Sequence, residues 1–283
     1  MTDPATTPSL VKERPTPALE ARGVSLAYDQ TMVFEGLDLR IETGEVTTLI
    51  GANGCGKSTL LKAFGRLLTP TAGTVELDGR GVRSIPTREV ARRLAILPQK
   101  PLTPSATTVR DLVSRGRHPH QSLLKPWTPA DTIAVDEALA ATGLETLADR
   151  DTASLSGGQL QRAWIALVLA QRAPTILLDE PTTFLDLSHQ LDVLRLVRSI
   201  NRERGATVVM VLHDLTLAGR YSDRLVVVGG GRVIADGTPW EVLTPAVLRE
   251  AFDLDAIVIP DPSSGSPLIV PVDPDDAIAL DAE

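Results

Sequence analysis

The feature that most constrains the fold of this chain is a glycine-rich segment ending in a Lys-Ser-Thr triplet. Residues 51–59 read GANGCGKST and match the pattern G-x-x-x-x-G-K-[ST]. An apolar β-type run, Val46–Ile50, precedes the segment, and a helix-type run, Leu60–Phe64, follows it. This strand–loop–helix order is the context in which such a loop wraps around phosphate groups. The sequence therefore predicts an α/β domain with a phosphate-binding loop.

The chemistry of this loop depends on backbone N–H groups. Glycine lets the backbone turn tightly, so that several N–H groups point into one concavity. The N-terminus of the following helix adds partial positive charge that favours an anion. We expect Lys57 to reach the β- and γ-phosphates of a nucleotide, and the Ser58 hydroxyl to bind Mg²⁺. The candidate nucleotide-binding residues of the loop are Gly51, Ala52, Asn53, Gly54, Cys55, Gly56, Lys57, Ser58 and Thr59.

Composition narrows the class of protein. A chain of 283 residues with 43% hydrophobic residues can hold one large α/β domain with an inserted piece, or two small domains. A net charge of −8 argues against nucleic acid as a partner. The single cysteine, Cys55, excludes an internal disulfide. No apolar run has the length needed to span a bilayer. We therefore expect a soluble chain that reaches a membrane only through a partner.

Hydrophobic patterning divides the chain into segments. Residues 1–17 are rich in Thr and Pro and read as a flexible tail. Residues 18–254 form the predicted main domain, whose first strands alternate apolar and polar residues and suggest an antiparallel sheet beside a parallel core. Helical periodicity dominates an insertion at about residues 100–160, whose first part is rich in proline. Residues 255–283 read as a C-terminal extension with an acidic tail.

Later motifs decide which kind of phosphate-binding protein this is. The segment LSGGQ at 155–159 opens a helix, and the buried β-type run Ile176–Asp179 follows it. In this order, together with Gln99, Asp186 and His213, the motifs resemble those of the ATP-binding cassette (ABC) family over roughly residues 18–254. The resemblance implies an α/β P-loop NTPase fold with a RecA-like parallel core, an antiparallel β subdomain and an inserted helical subdomain. It also implies an ATPase that uses ATP and Mg²⁺.

Each candidate residue has a chemical role. Asp179 ends a buried strand, where its carboxylate can orient Mg²⁺ and its waters. Glu180 comes next and can accept a proton from the attacking water. His213 can hydrogen-bond the γ-phosphate region, and Gln99 can contact both metal-bound water and the γ-phosphate. The predicted catalytic residues are Glu180, His213 and Gln99, and the predicted metal-binding residues are Ser58, Gln99 and Asp179. Outside this context, an isolated Glu or His would be read as a solvated or packed residue.

An aromatic residue ahead of the loop is a candidate for the nucleotide base. Tyr28 matches the position of the family's aromatic loop, and its ring can stack on adenine. The alternative is a strand tyrosine that only packs against its neighbours.

The LSGGQ segment implies a second copy of the chain. Small residues and free N–H groups at a helix N-terminus can bind a phosphate, as in the first loop. By resemblance, Ser156, Gly157, Gly158 and Gln159 close over the ATP that is held by a second cassette. The expected assembly is a head-to-tail homodimer of nucleotide-binding subunits in which each site takes groups from both chains. Asp186 is expected at the seam between the two sites.

The predicted transported substrate is an iron complex. The segments GRHPHQ at 116–121, QRAWIA at 161–166 and SHQ at 188–190 resemble the ATPases of ferric-siderophore uptake. The C-terminal run Ser266–Pro271 resembles the end of the same group. The resemblance implies integral-membrane permease subunits as partners, a substrate-binding protein as an indirect partner, and a peripheral location on the cytoplasmic face of the cell membrane. It implies no direct contact with the iron complex. Two alternatives stay open: a cobalamin or haem importer ATPase, and an ATP-dependent switch protein without transport.

Overall fold

The structure is a computed structural model that describes residues 16–28, 31–101, 106–122, 126–183 and 185–272. The predicted N-terminal tail therefore lies outside the described residues, except for its last two positions. The acidic end of the C-terminal extension, 273–283, also lies outside them.

The described chain alternates strands and helices. The strands are β1 (Leu19–Tyr28), β2 (Thr31–Ile41), β3 (Val46–Ile50), β4 (Ala72–Leu77), β5 (Arg80–Gly81), β6 (Leu94–Leu97), β7 (Thr175–Asp179), β8 (Thr207–Val211), β9 (Arg224–Gly229), β10 (Arg232–Gly237), β11 (Ala256–Pro260) and β12 (Pro267–Pro271). The α-helices are α1 (Lys57–Phe64), α2 (Thr87–Arg93), α3 (Val109–Ser114), α4 (Pro129–Ala141), α5 (Gly157–Gln171), α6 (Leu187–Arg204), α7 (Leu215–Tyr221), α8 (Pro239–Val242) and α9 (Pro245–Phe252). In the ranges that the structure describes, no helix is both long and apolar enough to cross a bilayer.

The central sheet brings the motifs to one edge. Its order is β10-β9-β3-β8-β7-β6, and all neighbours are parallel except β9 and β10. Every residue of β3, β7 and β8 is buried, as expected for parallel strands covered on both faces. The phosphate-binding loop, Gln99, Glu180 and His213 follow the carboxyl ends of β3, β6, β7 and β8, respectively. Parallel strands of one sheet end at the same edge, where α/β proteins bind ligands.

The predicted antiparallel sheet is confirmed. Its order is β2-β1-β4-β5, with antiparallel pairing throughout. Leu19, Leu26 and Ile41 of this sheet share a buried cluster with Leu60 and Phe64 of α1. The sheet therefore packs against the helix that follows the phosphate-binding loop.

Three helices of the predicted insertion pack together. Helices α3, α4 and α5 contact one another. Each helix contributes a buried side chain to their shared core: Leu112 from α3, Leu139 from α4 and Ala166 from α5. The bounds of about residues 100–160 for the insertion stay a prediction; α5 begins at Gly157 and continues to Gln171. The apolar face of α5 is continuous, so one helix both closes the insertion and returns the chain to β7. A short 3₁₀ segment, Arg115–His120, connects α3 to the rest of the insertion.

The C-terminal extension contains a hairpin that the sequence analysis did not identify. Strands β11 and β12 pair in antiparallel fashion, and β12 contacts α7. The prolines Pro260, Pro267 and Pro271 stand at strand ends, where a missing N–H costs no ladder bond. Because proline is rare inside strands, these residues did not read as a strand pattern in the sequence. Strands β9 and β10 also form a hairpin, with Gly230 and Gly231 in the left-handed region that its turn requires.

Candidate active site

A cleft of about 270 Å³ lies where the phosphate-binding loop faces the ends of β1, β7 and β8. The residues that line it are Tyr28, Val33, Asn53, Gly54, Gly56, Lys57, Ser58, Thr59, Glu180 and His213. All of them except Val33 were predicted from the sequence. The four segments that carry these residues are far apart along the chain, so the fold itself assembles the cleft.

The loop has the backbone geometry that a phosphate cradle requires. Gly51 has φ 150° and Gly56 has φ 105°, both in the region that favours glycine. A Cβ atom on Gly51 would lie 2.1 Å from the carbonyl oxygen of Val228. The Lys57 side chain is inside this loop, where its Nζ atom donates to the carbonyl oxygens of Gly51 at 2.8 Å and Ala52 at 2.9 Å. A lysine ammonium thus lies beside the concavity that the loop N–H groups form.

Two oxygen-bearing side chains meet beside the loop. The Ser58 hydroxyl donates to Oδ1 of Asp179 at 2.7 Å, and Asp179 is 2% exposed. Burial raises the pKa of Asp179, while the bond from Ser58 and the charges of Lys62 and Lys57 lower it, and the net pKa is above its ordinary value. A hydroxyl and a carboxylate are the kinds of ligand that Mg²⁺ takes. The residues present therefore fit a divalent cation between the loop and β7.

Glu180 is the centre of a hydrogen-bond network at the exit of β7. Its Oε1 atom is 2.8 Å from Nε2 of His213, and its Oε2 atom accepts from the Thr183 hydroxyl at 2.9 Å. The Gln99 side chain also hydrogen-bonds to this carboxylate. Burial raises the pKa of Glu180, but the bonds with His213, Gln99 and Thr183 outweigh burial and hold the pKa below its ordinary value. Glu180 is therefore a carboxylate at neutral pH, as a proton acceptor must be.

Tyr28 lies at the end of β1 with its side chain at the cleft. It is 43% exposed, and the Lys62 ammonium lies 5.9 Å from the centroid of its ring. The ring is thus available to a planar group, although stacking on adenine stays a prediction.

The signature segment lies outside this cleft. Ser156 caps α5: its hydroxyl accepts from the N–H of Gln159 at 3.3 Å, and the Gln159 side chain accepts from the N–H of Ser156 at 3.1 Å. This reciprocal pair fixes the helix start. Ser156 and Gly157 are exposed, while Gly158 and Gln159 are half-buried. One copy of the chain therefore does not bring the signature segment to its own phosphate-binding loop.

Asp186 is also outside the cleft and caps α6. Its Oδ1 atom accepts from the backbone N–H of His189 at 3.0 Å and lies 2.7 Å from Nδ1 of the same residue. The bonds from His189 and Ser188 lower the pKa of Asp186 to about 2. Asp186 is exposed, so its carboxylate is accessible at the surface next to the helix start.

The sequence analysis did not identify three side chains that lie at the site. Val33 lines the cleft from β2, Thr183 bonds to Glu180, and Lys62 contacts Tyr28. Thr183 could have been found from its position three residues after Glu180, a spacing at which a turn brings two side chains together. No local pattern points to Val33 or Lys62, because their roles depend on how the two sheets meet.

Known proteins resemble this chain along most of its length. The family model described as ABC transporter matches residues 34–183, which include the phosphate-binding loop, the signature segment and Glu180. The chain is 49% identical over 254 residues to the achromobactin transport ATP-binding protein CbrD of Dickeya dadantii, covering 90% of this chain and 94% of the relative. It is 47% identical to the ferric enterobactin transport ATP-binding protein FepC of Escherichia coli, covering 90% and 94%.

Solved structures give the same result. An ABC transporter in an inward-facing conformation matches with a TM-score of 0.78 and 28% identity, over 91% of this chain and 98% of that chain. The ABC transporter cassette MJ0796, solved as a dimer, matches with a TM-score of 0.70 and 28% identity, over 78% and 98%. Similarity of this extent in sequence and structure, added to the assembled motifs, shows that the chain belongs to the ABC transporter family as one of its ATP-binding, ATP-hydrolysing cassettes.

Proposed function

We propose that this chain powers an ABC importer for ferric siderophores at the cytoplasmic face of the cell membrane. The observation that carries the proposal is the convergence of Lys57, the Ser58–Asp179 pair and the Glu180–His213 pair around one cleft. The import assignment is supported by relatives whose names state achromobactin and ferric enterobactin transport.

Each group in the cleft has a defined task toward ATP. Lys57 and the loop N–H groups bind the phosphates, and Tyr28 stacks on the base. Ser58, Asp179 and Gln99 would hold Mg²⁺, which would offset the negative charge of the phosphates. Glu180 accepts a proton from the attacking water, and His213 orients that carboxylate through its Nε2 atom.

A second copy of the chain supplies the missing part of the site. The Ser156 cap engages the N–H groups of Ser156 and Gln159, and the N–H groups of Gly157 and Gly158 between them form a helix start of the kind that binds anions. In a two-fold dimer these groups close over the γ-phosphate held by the partner, with Asp186 at the seam. The dimeric solved cassette supports this arrangement. Hydrolysis then loosens the contact because the γ-phosphate no longer links the two subunits.

Coupling to the permease runs through the helical insertion. Gln99 contacts Glu180 and leads into the segment before α3, so a displacement there reaches the catalytic carboxylate. We expect a short permease helix to bind along residues 100–120; positions 102–105 of that stretch lie outside the described residues. The iron complex crosses the permease after delivery by a substrate-binding protein and does not contact this chain.

The enzymatic half of the proposal is tested by Glu180→Gln. This variant should bind ATP with wild-type affinity and hydrolyse it at least about 100-fold more slowly, because the proton acceptor is lost. Glu203→Gln is the matched control, since Glu203 is an exposed glutamate at the far end of α6. Wild-type turnover in Glu180→Gln would remove Glu180 from the mechanism.

The transport half is tested in cells. A strain that lacks this chain should lose uptake of radiolabelled ferric siderophore, and the wild-type chain should restore the uptake while Glu180→Gln should not. Labelled cobalamin and haem are taken through the same assay. If the strain loses uptake of cobalamin or haem and keeps uptake of the siderophore, the transported substrate is a different one, while the proposed ATPase chemistry still holds.

A further inference from the structure

One side chain without a role in the proposed mechanism joins α5, the helix that starts at the signature segment, to the turn that carries Glu180 in the same chain. Gln161 stands on α5, and its Nε2 atom donates to the carbonyl oxygen of Pro181 at 3.0 Å. Pro181 directly follows Glu180. The amide of Gln161 therefore reaches across twenty positions of sequence to the backbone next to the general base.

The backbone at this point needs an external support. Glu180 has φ 53°, in the left-handed region that side chains rarely adopt. A residue that precedes proline is further restricted in its backbone angles. Such conformations persist only where surrounding contacts impose them. Gln161 provides one of these contacts, since it holds the carbonyl one residue beyond the strained position.

The start of α5, about one turn before Gln161, is the segment that closes over the second nucleotide in the proposed dimer. The helix begins at Gly157 after the Ser156 cap, and Gln161 is its fifth residue, about 6 Å further along the axis. At the helix start, a Cβ atom on Gly158 would lie 3.3 Å from Leu185 of the segment that follows Glu180. Because a helix turn is rigid, a displacement of Ser156 moves the Gln161 amide and, with it, the Pro181 carbonyl.

We propose that Gln161 is a positioning residue that couples the two nucleotide sites of the dimer within each chain. When the signature segment closes on the ATP of the partner subunit, the Gln161–Pro181 bond sets the orientation of Glu180 toward the ATP of its own chain. The inference rests on the proposed function, because it needs Glu180 as proton acceptor and Ser156 at the partner's phosphate. It assigns the communication between sites to one hydrogen bond.

The chain contains a matched control for this bond. Gln190 of α6 donates its side-chain N–H to the carbonyl oxygen of Leu185 at 2.9 Å. It supports the same segment with the same chemistry, but from a helix that does not carry the signature. A purely structural role for these glutamines predicts that Gln161→Met and Gln190→Met have equal effects.

The experiment is a double-mutant cycle on ATP hydrolysis by the full chain. Gln161→Met keeps the length of the side chain and removes the donor; it should lower kcat about tenfold, while the Kd for a fluorescent ATP analogue stays within about twofold. Ser156→Ala should also lower kcat. Because both act through one coupling, the double variant should be no slower than the slower single variant. Gln190→Met should leave kcat near wild type and combine with Ser156→Ala multiplicatively.

The outcomes separate this inference from the proposed function. Wild-type kcat in Gln161→Met, no effect of Ser156→Ala, multiplicative loss in the Ser156–Gln161 double variant, or equal losses for Gln161→Met and Gln190→Met would each overturn the coupling role. Unfolding temperatures of all variants are measured alongside, so that a loss of fold is not scored as a loss of kcat. Glu180→Gln is assayed in the same series: if it turns over at the wild-type rate the proposed function fails, and if it is inactive while Gln161→Met is normal only the inference fails.

Discussion

The Nε2 atom of His213 lies 2.8 Å from Oε1 of Glu180, so a residue after β8 contacts the carboxylate after β7. The two strands are neighbours in the parallel sheet, which places their exits side by side. This contact fixes one oxygen of Glu180, while Thr183 binds the other. The carboxylate is thereby held in one orientation beside the phosphate-binding loop.

Removal of His213 should change the pH dependence of hydrolysis. Burial raises the pKa of Glu180 and the bond to His213 lowers it, so His213→Ala should raise that pKa. The acidic limb of the plot of kcat/KM against pH should then move to higher pH, because the limb follows protonation of the base. Loss of a charge-assisted bond should also lower kcat about 10- to 100-fold.

The control for this experiment is His118→Ala, which removes an exposed histidine of the 3₁₀ segment. Its pH profile should match that of the wild type. If the pH of the acidic limb is the same in His213→Ala as in the wild type, a group other than Glu180 governs that limb.

Glycine substitutions in the phosphate-binding loop should differ sharply. Gly51→Ala places a methyl group 2.1 Å from the backbone oxygen of Val228, which cannot move without disturbing β9. Gly54 has φ 78° and an added Cβ would meet nothing within 4 Å, so Gly54→Ala adds only backbone strain. We expect Gly51→Ala to abolish ATP binding or folding, and Gly54→Ala to lose about 1–2 kcal/mol of stability. Thermal unfolding and nucleotide titration check both; equal behaviour of the two variants would contradict the loop geometry.

The parts of this site that could be predicted are those that a short contiguous stretch of sequence encodes. The phosphate-binding loop, the strand before Asp179 and the start of α5 each depend on contiguous residue types, and all three form the elements that were predicted. The order of the motifs along the chain then indicated that Glu180 and His213 approach the loop. Both line the cleft with it.

The part that escaped prediction is the part that depends on tertiary packing. The bond from Gln161 to Pro181 and the ion pair between Arg117 and Asp131 join residues on different elements. The segment that contains Arg117 was used only as a family marker, although its guanidinium is buried. No periodicity predicts which partner a buried polar side chain finds, because the partner is set by how helices cross.

Tyr28 should contribute to nucleotide affinity through its ring. An aromatic pair is worth about 0.5–1.5 kcal/mol beyond its buried area, so Tyr28→Ala should weaken ATP binding about 3- to 10-fold. Tyr28→Phe keeps the ring and loses only the hydroxyl that contacts Lys62 at 3.4 Å, so it should bind like the wild type. Titration with ATP and with inorganic triphosphate separates the base from the phosphates: the triphosphate affinity should be the same in all three proteins. A loss of triphosphate affinity in Tyr28→Ala would mean that Tyr28 supports the loop and does not stack on the base.

The ion pair inside the helical insertion should govern its stability in acid. Nε of Arg117 lies 2.8 Å from Oδ1 of Asp131, and the two side chains are only 8% and 6% exposed. Burial raises the pKa of Asp131, but hydrogen bonds from Thr128 and Arg117 outweigh it and lower the pKa to about 2. Because the folded pKa is below the unfolded value of about 3.9, this carboxylate stabilises the fold above pH 4 and loses its contribution as the pH falls through about 2.

Asp131→Asn should therefore destabilise the protein by about 3 kcal/mol at pH 7, since it leaves the buried Arg117 charge without a carboxylate and with only the carbonyl oxygen of Ala170 as a partner. Asp136→Asn is the matched control on the same helix, because Asp136 pairs with Arg110 at 2.6 Å in an exposed ion pair; its cost should stay below about 1 kcal/mol. Urea unfolding at pH 7, 4 and 2.5 measures both. The difference in the free energy of unfolding between wild type and Asp131→Asn should shrink between pH 4 and pH 2.5, while that of Asp136→Asn stays small throughout. A difference for Asp131→Asn that is independent of pH would show that the carboxylate is not ionised in the folded state.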